Sequence, residues 1–72
     1  MNRILSTKDI GAAIRRERKR QGYTQVQLSE LTGIGVSYIG NIERGKETAE
    51  IGKALDLLTL LGIDIFVQKR GE

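Results

Sequence analysis

Residues 24–45, TQVQLSELTGIGVSYIGNIERG, decide the fold. Thr24 stands at a helix start with Gln27 three residues on. At that spacing a hydroxyl and a side-chain amide satisfy two orphan backbone amides reciprocally. Tyr23 and Leu28 bracket this start at hydrophobic-staple spacing, and Leu28 and Leu31 fall on one helical face. Gly33 supplies the residue that tolerates positive φ where a helix must stop and turn. Ile34 and Ile39 repeat the staple spacing around a second start at Gly35. Ile39 and Ile42 form the buried stripe of this second helix, and Gly45 ends it. Two short helices joined by a Gly-centred turn make a helix-turn-helix, whose second helix is the one shaped for a DNA major groove.

The rest of the composition bounds what surrounds this motif. Seventy-two residues allow one domain with a small core. Such a core rarely supplies more than ~3–5 kcal/mol, so a partner subunit is a common remedy. The chain has no Cys and no His, which removes disulfides, thiolate or imidazole metal sites and the commonest general base. No cofactor is expected, and an enzyme is the reading least compatible with this side-chain inventory. No apolar run approaches the roughly 18 residues of a membrane span. No signal-peptide core is visible either, so the expected compartment is the cytosol. The formal charge is +3, with Arg15, Arg16, Arg18, Lys19 and Arg20 inside six consecutive residues. Such a cluster is either a solvated helix face or an electrostatic footprint for nucleic acid; the adjacent helix-turn-helix favours the latter.

In chain order, residues 1–6 read as an arm, from which Arg3 reaches either solvent or a DNA backbone. Ser6 caps the first helix, with Asp9 at its third position and Leu5 and Ile10 at staple spacing. Ile10, Ala13, Ile14 and the Glu17–Arg18 region face inward, and Gln21-Gly22 is a stop signal. Beyond Gly45, Thr48 is the expected cap of a fourth helix running to about Leu61. Its core face is read as Ile51, Ala54, Leu55, Leu58 and Leu61, with Gly52 marking a close helix contact. Leu55, Leu57, Leu58, Leu60 and Leu61 cover most of the circumference, and a helix apolar nearly all round is buried nearly all round. Ile63-Asp64-Ile65-Phe66-Val67 then alternates and is β-branched, which predicts a strand over 63–68. No second strand exists in the chain, so its amides need another molecule. The economical solution is a symmetric homodimer joined through Leu57, Leu60, Ile63, Ile65, Phe66 and Val67.

Thr24-Gln25, Leu28, Thr32-Gly33, Ile34, Ile39, Ile42 and the Glu43-Arg44-Gly45-Lys46 exit resemble the Cro/CI-type (XRE-like) helix-turn-helix of phage and bacterial repressors. The ending TAEIGKALDLLTLLGIDIFVQKR narrows the resemblance to HipB-type antitoxins, DNA-binding dimers that neutralise a HipA-type kinase toxin and repress their own operon. The similarity spans Ile4 to Arg70. It implies an all-α, lambda-repressor-like bundle of four helices over 7–61, with the helix-turn-helix at 24–45 and a C-terminal dimerisation strand at 63–68. All of this forms one domain over 1–72.

Carried over onto these residues, the resemblance implies that Gly35, Val36, Ser37, Gly40 and Asn41 face the bases. Asn41 is the only side chain among them able to make a bidentate contact, with adenine the favoured partner. Relatives often carry Gln or Arg here, so direct readout by these small residues would be sparse and DNA shape would carry more of the specificity. Gly35 and Gly40 are equally explained by close backbone approach. Gln25, Tyr38, Arg44 and Lys46 are the implied phosphate contacts, although Tyr38 reads equally well as a packed surface aromatic. Arg18 falls near the core face one turn after Ile14. The resemblance implies that it pairs with Glu43 as a structural ion pair; the alternative is that it snorkels to a phosphate.

The resulting expectation is a dimeric, sequence-specific repressor of a palindromic operator, and in its narrower form the antitoxin of a HipBA-like pair. The alternatives are a phage-like stand-alone repressor, or a protein-interaction module that uses the helix-turn-helix as a scaffold.

Overall fold

The computed structural model describes residues 3–71, so the first two positions of the expected arm lie outside the described residues. Four helices follow one another: α1 (Thr7–Arg20), α2 (Gln25–Thr32), α3 (Val36–Glu43) and α4 (Ile51–Leu60). Local chemistry sets most of their ends. Ser6 Oγ accepts from the Asp9 amide, and Asp9 Oδ2 accepts in return from the Leu5 amide at 2.9 Å. At α2 the reciprocal pair is complete: Thr24 Oγ1 accepts from the Gln27 amide at 3.0 Å, and Gln27 Oε1 from the Thr24 amide at 2.9 Å. Three helices close by the same device. Gly22, Gly45 and Gly62 take φ of 81°, 80° and 80°, and the amide of the next residue reaches back to the carbonyls of Arg18, Asn41 and Leu58 respectively. This double-turn closure needs a left-handed residue, which glycine supplies without a steric penalty.

The core takes side chains from all four helices: Ile14, Leu28, Ile39, Ile42, Ala54, Leu57, Leu58 and Leu61. Gly11 sets how closely α1 approaches α3. A Cβ built there would lie 1.8 Å from the carbonyl oxygen of Ile42, inside any permissible contact. Helix-on-helix packing at this point is therefore backbone against backbone.

Several expectations are corrected. Among the described residues there is no strand. Residues 63–69 have no secondary-structure assignment, because a ladder needs a neighbouring strand and this chain has none to offer. Leu57 is fully buried in the chain's own core and cannot reach a partner, whereas Ile51 and Leu55, read as core, are 55% and 44% exposed. The inward face of α4 is thus Ala54, Leu57, Leu58 and Leu61, one step round from the face read in the sequence. Its cap is Glu50 and not Thr48, and that cap makes no side-chain bond. Leu31 and Leu5 are exposed, so neither performs the packing role expected of it. Gly52 is exposed, and a Cβ there would meet only the Glu50 carboxylate at an ordinary 3.6 Å; the close helix contact belongs to Gly11.

Candidate nucleic-acid interface

Arg18 ties the motif together. Its Nε donates to Glu43 Oε2 at 2.7 Å and its Nη2 to Glu43 Oε1 at 2.8 Å, while Nη1 donates to the Tyr23 carbonyl at 2.8 Å. The two side chains are only 8% and 3% exposed. A fork-on-fork pair of this kind fixes orientation as well as energy. The bonds to Glu43 raise the Arg18 pKa against the opposing effect of burial, so the guanidinium is permanently charged. Gln25, the first residue of α2, adds a fourth strut from Nε2 to Glu43 Oε1 at 3.3 Å. The end of α1, the loop into α2, the start of α2 and the end of α3 therefore meet at one guanidinium–carboxylate pair. No buried side-chain polar atom among the described residues lacks a partner.

This anchor leaves a defined face of α3 outward. Gly35, Val36 and Ser37 at its start are exposed, and Arg44 and Lys46 at its exit are exposed cations. Asn41 is half-buried, and its Oδ1 accepts from Arg44 Nη2 at 2.7 Å. Gly40 is a correction: it is buried beneath Arg44 and Gln25, and a Cβ there would lie 3.2 Å from Arg44 Nη1 and 3.7 Å from Gln25 Oε1. It cannot present itself to a base in this arrangement. Tyr38 is also committed elsewhere. Its hydroxyl donates to the Glu50 carbonyl and Lys53 Nζ sits 5.6 Å from the ring centroid, the packed-aromatic alternative. Burial, and then the charge of Glu50, raise the phenol pKa, which keeps it a neutral donor.

The residues assigned to a dimer contact divide. Leu57 is internal and Ile63 half-buried, while Leu60, Ile65, Phe66 and Val67 are exposed at 57%, 44%, 83% and 97%. Three contributors were not legible as such in the sequence. Gly11 has no local signal. Gln21, read only as a stop, donates to the Leu61 carbonyl at 2.7 Å and joins the ends of α1 and α4. The Asn41–Arg44 bond has a signal, since residues three apart are neighbours on a helix.

With two short helices locked at a fixed angle and the second turned outward, the motif is a helix-turn-helix. The family model described as helix-turn-helix matches residues 14–67. The chain belongs to that family and is an XRE-type helix-turn-helix transcriptional regulator, a DNA-binding and non-enzymatic class. It is 43% identical over 70 residues to the HTH-type transcriptional regulator y4mF of Sinorhizobium fredii, covering 97% of this chain and 92% of that protein. It is also 43% identical over 53 residues to the HTH-type regulator YazB of Bacillus subtilis, covering 69% and 77% of the two chains. Among solved structures, HipB in a complex with an O4 20mer superimposes with a TM-score of 0.85 at 21% identity, over 97% of this chain and 99% of that one. A HipA–HipB–O2–O3 complex gives the same TM-score over the same shares. At that identity the likeness is one of fold. No helix among the described residues is long and apolar enough to cross a membrane.

Proposed function

We propose that the chain is a homodimeric, sequence-specific repressor that inserts α3 into the major groove of a palindromic operator. The observation that carries this is the outward face of α3, held by the Arg18–Glu43–Gln25 cluster and flanked at its exit by Arg44 and Lys46. Val36, Ser37 and Asn41 are its base-facing side chains, and Gln25, Arg44 and Lys46 lie where phosphates pass. Tyr38 serves α4 instead, through Glu50 and Lys53. Homodimerisation is supported by Phe66 and Val67, apolar and almost wholly in solvent, on a segment whose backbone has no strand neighbour. Two such segments pairing antiparallel would place the recognition helices of the dimer about 34 Å apart, or bend the DNA to fit. In the narrower reading the dimer is an antitoxin working in the cytosol with a HipA-like kinase. The support is the superposition on HipB, solved both with an O4 20mer and with HipA.

Fluorescence anisotropy on selected and random duplexes across a salt series tests the DNA reading. Affinity should fall steeply with salt as phosphate contacts release counterions, and the selected duplex should hold an inverted repeat. Salt-independent, sequence-blind association would reject it in favour of a protein-binding scaffold. Sedimentation tests assembly: the parent should run as a dimer at micromolar concentration and Ile65→Pro as a monomer, because proline removes a ladder amide. Identical sedimentation of the two would remove the strand-paired dimer.

A further inference from the structure

The bond between Arg44 and Asn41 settles which way the Asn41 carboxamide faces. A guanidinium carries donors only, so the atom 2.7 Å from Arg44 Nη2 must be the amide oxygen. The oxygen of Asn41 is thereby engaged from within the protein, and the two N–H donors of Nδ2 have no partner among the described residues. Reading adenine through two bonds needs the oxygen to accept from N6–H while the nitrogen donates to N7, and here one of the oxygen's two lone pairs, together with its orientation, is already taken by Arg44. Guanine presents two acceptors, N7 and O6, on the same edge.

The absence of a side chain at residue 40 makes the arrangement possible. The guanidinium folds back across α3 over Gly40, where a Cβ would stand 3.2 Å from Nη1. That separation is tight enough to require the guanidinium to move by a few tenths of an ångström. Gly40 is thus not a base reader but the floor on which Arg44 lies, with Gln25 as the neighbouring wall.

From this juxtaposition we infer that Arg44 is a positioning residue for sequence discrimination: it holds the Asn41 amide oxygen and turns the amide's donors to the base, so that Asn41 selects guanine over adenine. The inference rests on the reading of α3 as the groove-entering helix. It replaces the adenine preference expected from the side-chain type alone, and it gives Arg44 a role beyond a phosphate contact.

Selection of bound duplexes from a random pool, run on the full chain and on Asn41→Ala, Arg44→Met and Gly40→Ala, tests it. Asn41→Ala identifies the base pair concerned as the position where preference collapses. At that position the parent should favour guanine over adenine by about tenfold or more, and Arg44→Met should erase most of that ratio while preferences elsewhere in the site persist. Gly40→Ala should reduce the ratio in the same direction by a smaller factor without lowering the melting temperature, since alanine is the better helix former. That combination separates mispositioning from unfolding. The inference is overturned if the parent prefers adenine there, or if Asn41→Ala leaves every position unchanged. It is equally overturned if Arg44→Met weakens all sequences alike with the ratio intact, the behaviour of a phosphate contact. A parent that selects no sequence at all would instead sink the DNA-binding reading itself.

Discussion

Around Glu43, groups from α1, the loop after it, α2 and α3 converge, and every one of them has its hydrogen-bonding partner inside the chain. Some twenty residues later, Phe66 and Val67 stand almost entirely in water beside no strand. Between these extremes α4 buries Ala54, Leu57, Leu58 and Leu61 and leaves Ile51, Leu55 and Leu60 outside. The contrast separates what one copy of the chain can complete from what it cannot. Presenting α3 at a fixed angle needs only intrachain contacts. The apolar surface of the last third is left uncovered by the single chain, and it is this surface that the proposed dimer would bury.

Breaking the closed region should cost most. Arg18→Ala leaves the Glu43 carboxylate buried without its forked partner, and losing one member of a buried pair costs about 3–5 kcal/mol. Arg16→Ala, two residues away and exposed, should stay within about 0.5 kcal/mol of the parent. Thermal or urea melts of the two variants measure the difference. Equal stabilities would show that the Glu43 cluster is not the anchor its geometry suggests.

The two leucines three apart on α4 sharpen the boundary itself. Leu57→Ala removes a fully buried side chain and should cost roughly 2–4 kcal/mol, the range for cavity-forming core truncations. Leu60→Ala should barely change the melting of the isolated chain, because the side chain is more than half exposed. If Leu60→Ala proves costly in a concentration-dependent way, the loss lies in assembly and maps Leu60 to the contact between copies.

These faces explain what was legible in the sequence and what was not. Helix ends were legible because they depend on residues within a few positions: Ser6 with Asp9, Thr24 with Gln27, and the glycines after α1, α2 and α3. The face of α4 was not. With leucine at 55, 57, 58, 60 and 61, no polar stripe marks the outside, and only the position of the other helices decides that Leu57 turns in and Leu55 out. The strand over 63–68 is not formed within the single chain for a related reason, since alternation describes a segment fit for pairing and cannot supply its neighbour. On α3 the residue types at 40, 41 and 44 were visible. Their mutual contact depends on the Arg44 side chain folding back one turn over Gly40, which residue type alone does not dictate.

Glycine to alanine provides a smaller and two-signed comparison. At Gly11 the added methyl meets the Ile42 carbonyl and must push α1 from α3, which should destabilise by about 1–3 kcal/mol as overpacking does. At Gly52, exposed in the first turn of α4 and facing only the Glu50 side chain at 3.6 Å, the same substitution should stabilise by up to ~1 kcal/mol through helix propensity. A destabilised Gly52→Ala would mean that α4 makes a contact there, between copies, which is absent from the single chain.

The smallest expected effect tests the joint between the two regions. Glu17 Oε1 accepts from Arg20 and from Gln21 Nε2, and the same Gln21 nitrogen donates to the Leu61 carbonyl at the end of α4. The bonds from Arg20 and then Gln21 hold the Glu17 carboxyl at about 2, below its ordinary 4.5. A depressed folded-state pKa means the contribution is fully present above the unfolded value and is lost as pH falls through the folded one. The window is therefore about pH 4.5 down to 2, with stability falling as acid is added. Because the pair is solvent-screened, the slope should be shallow. Glu17→Gln should melt more nearly independently of pH across that window than the parent, and the Glu17 carboxyl should titrate in NMR near the bottom of it. If Glu17 instead titrates near 4.5 and Glu17→Gln keeps the parent's acid slope, the Arg20–Glu17–Gln21 chain is not formed in solution. The joint between α1 and α4 would then rest on Gln21 and apolar packing alone.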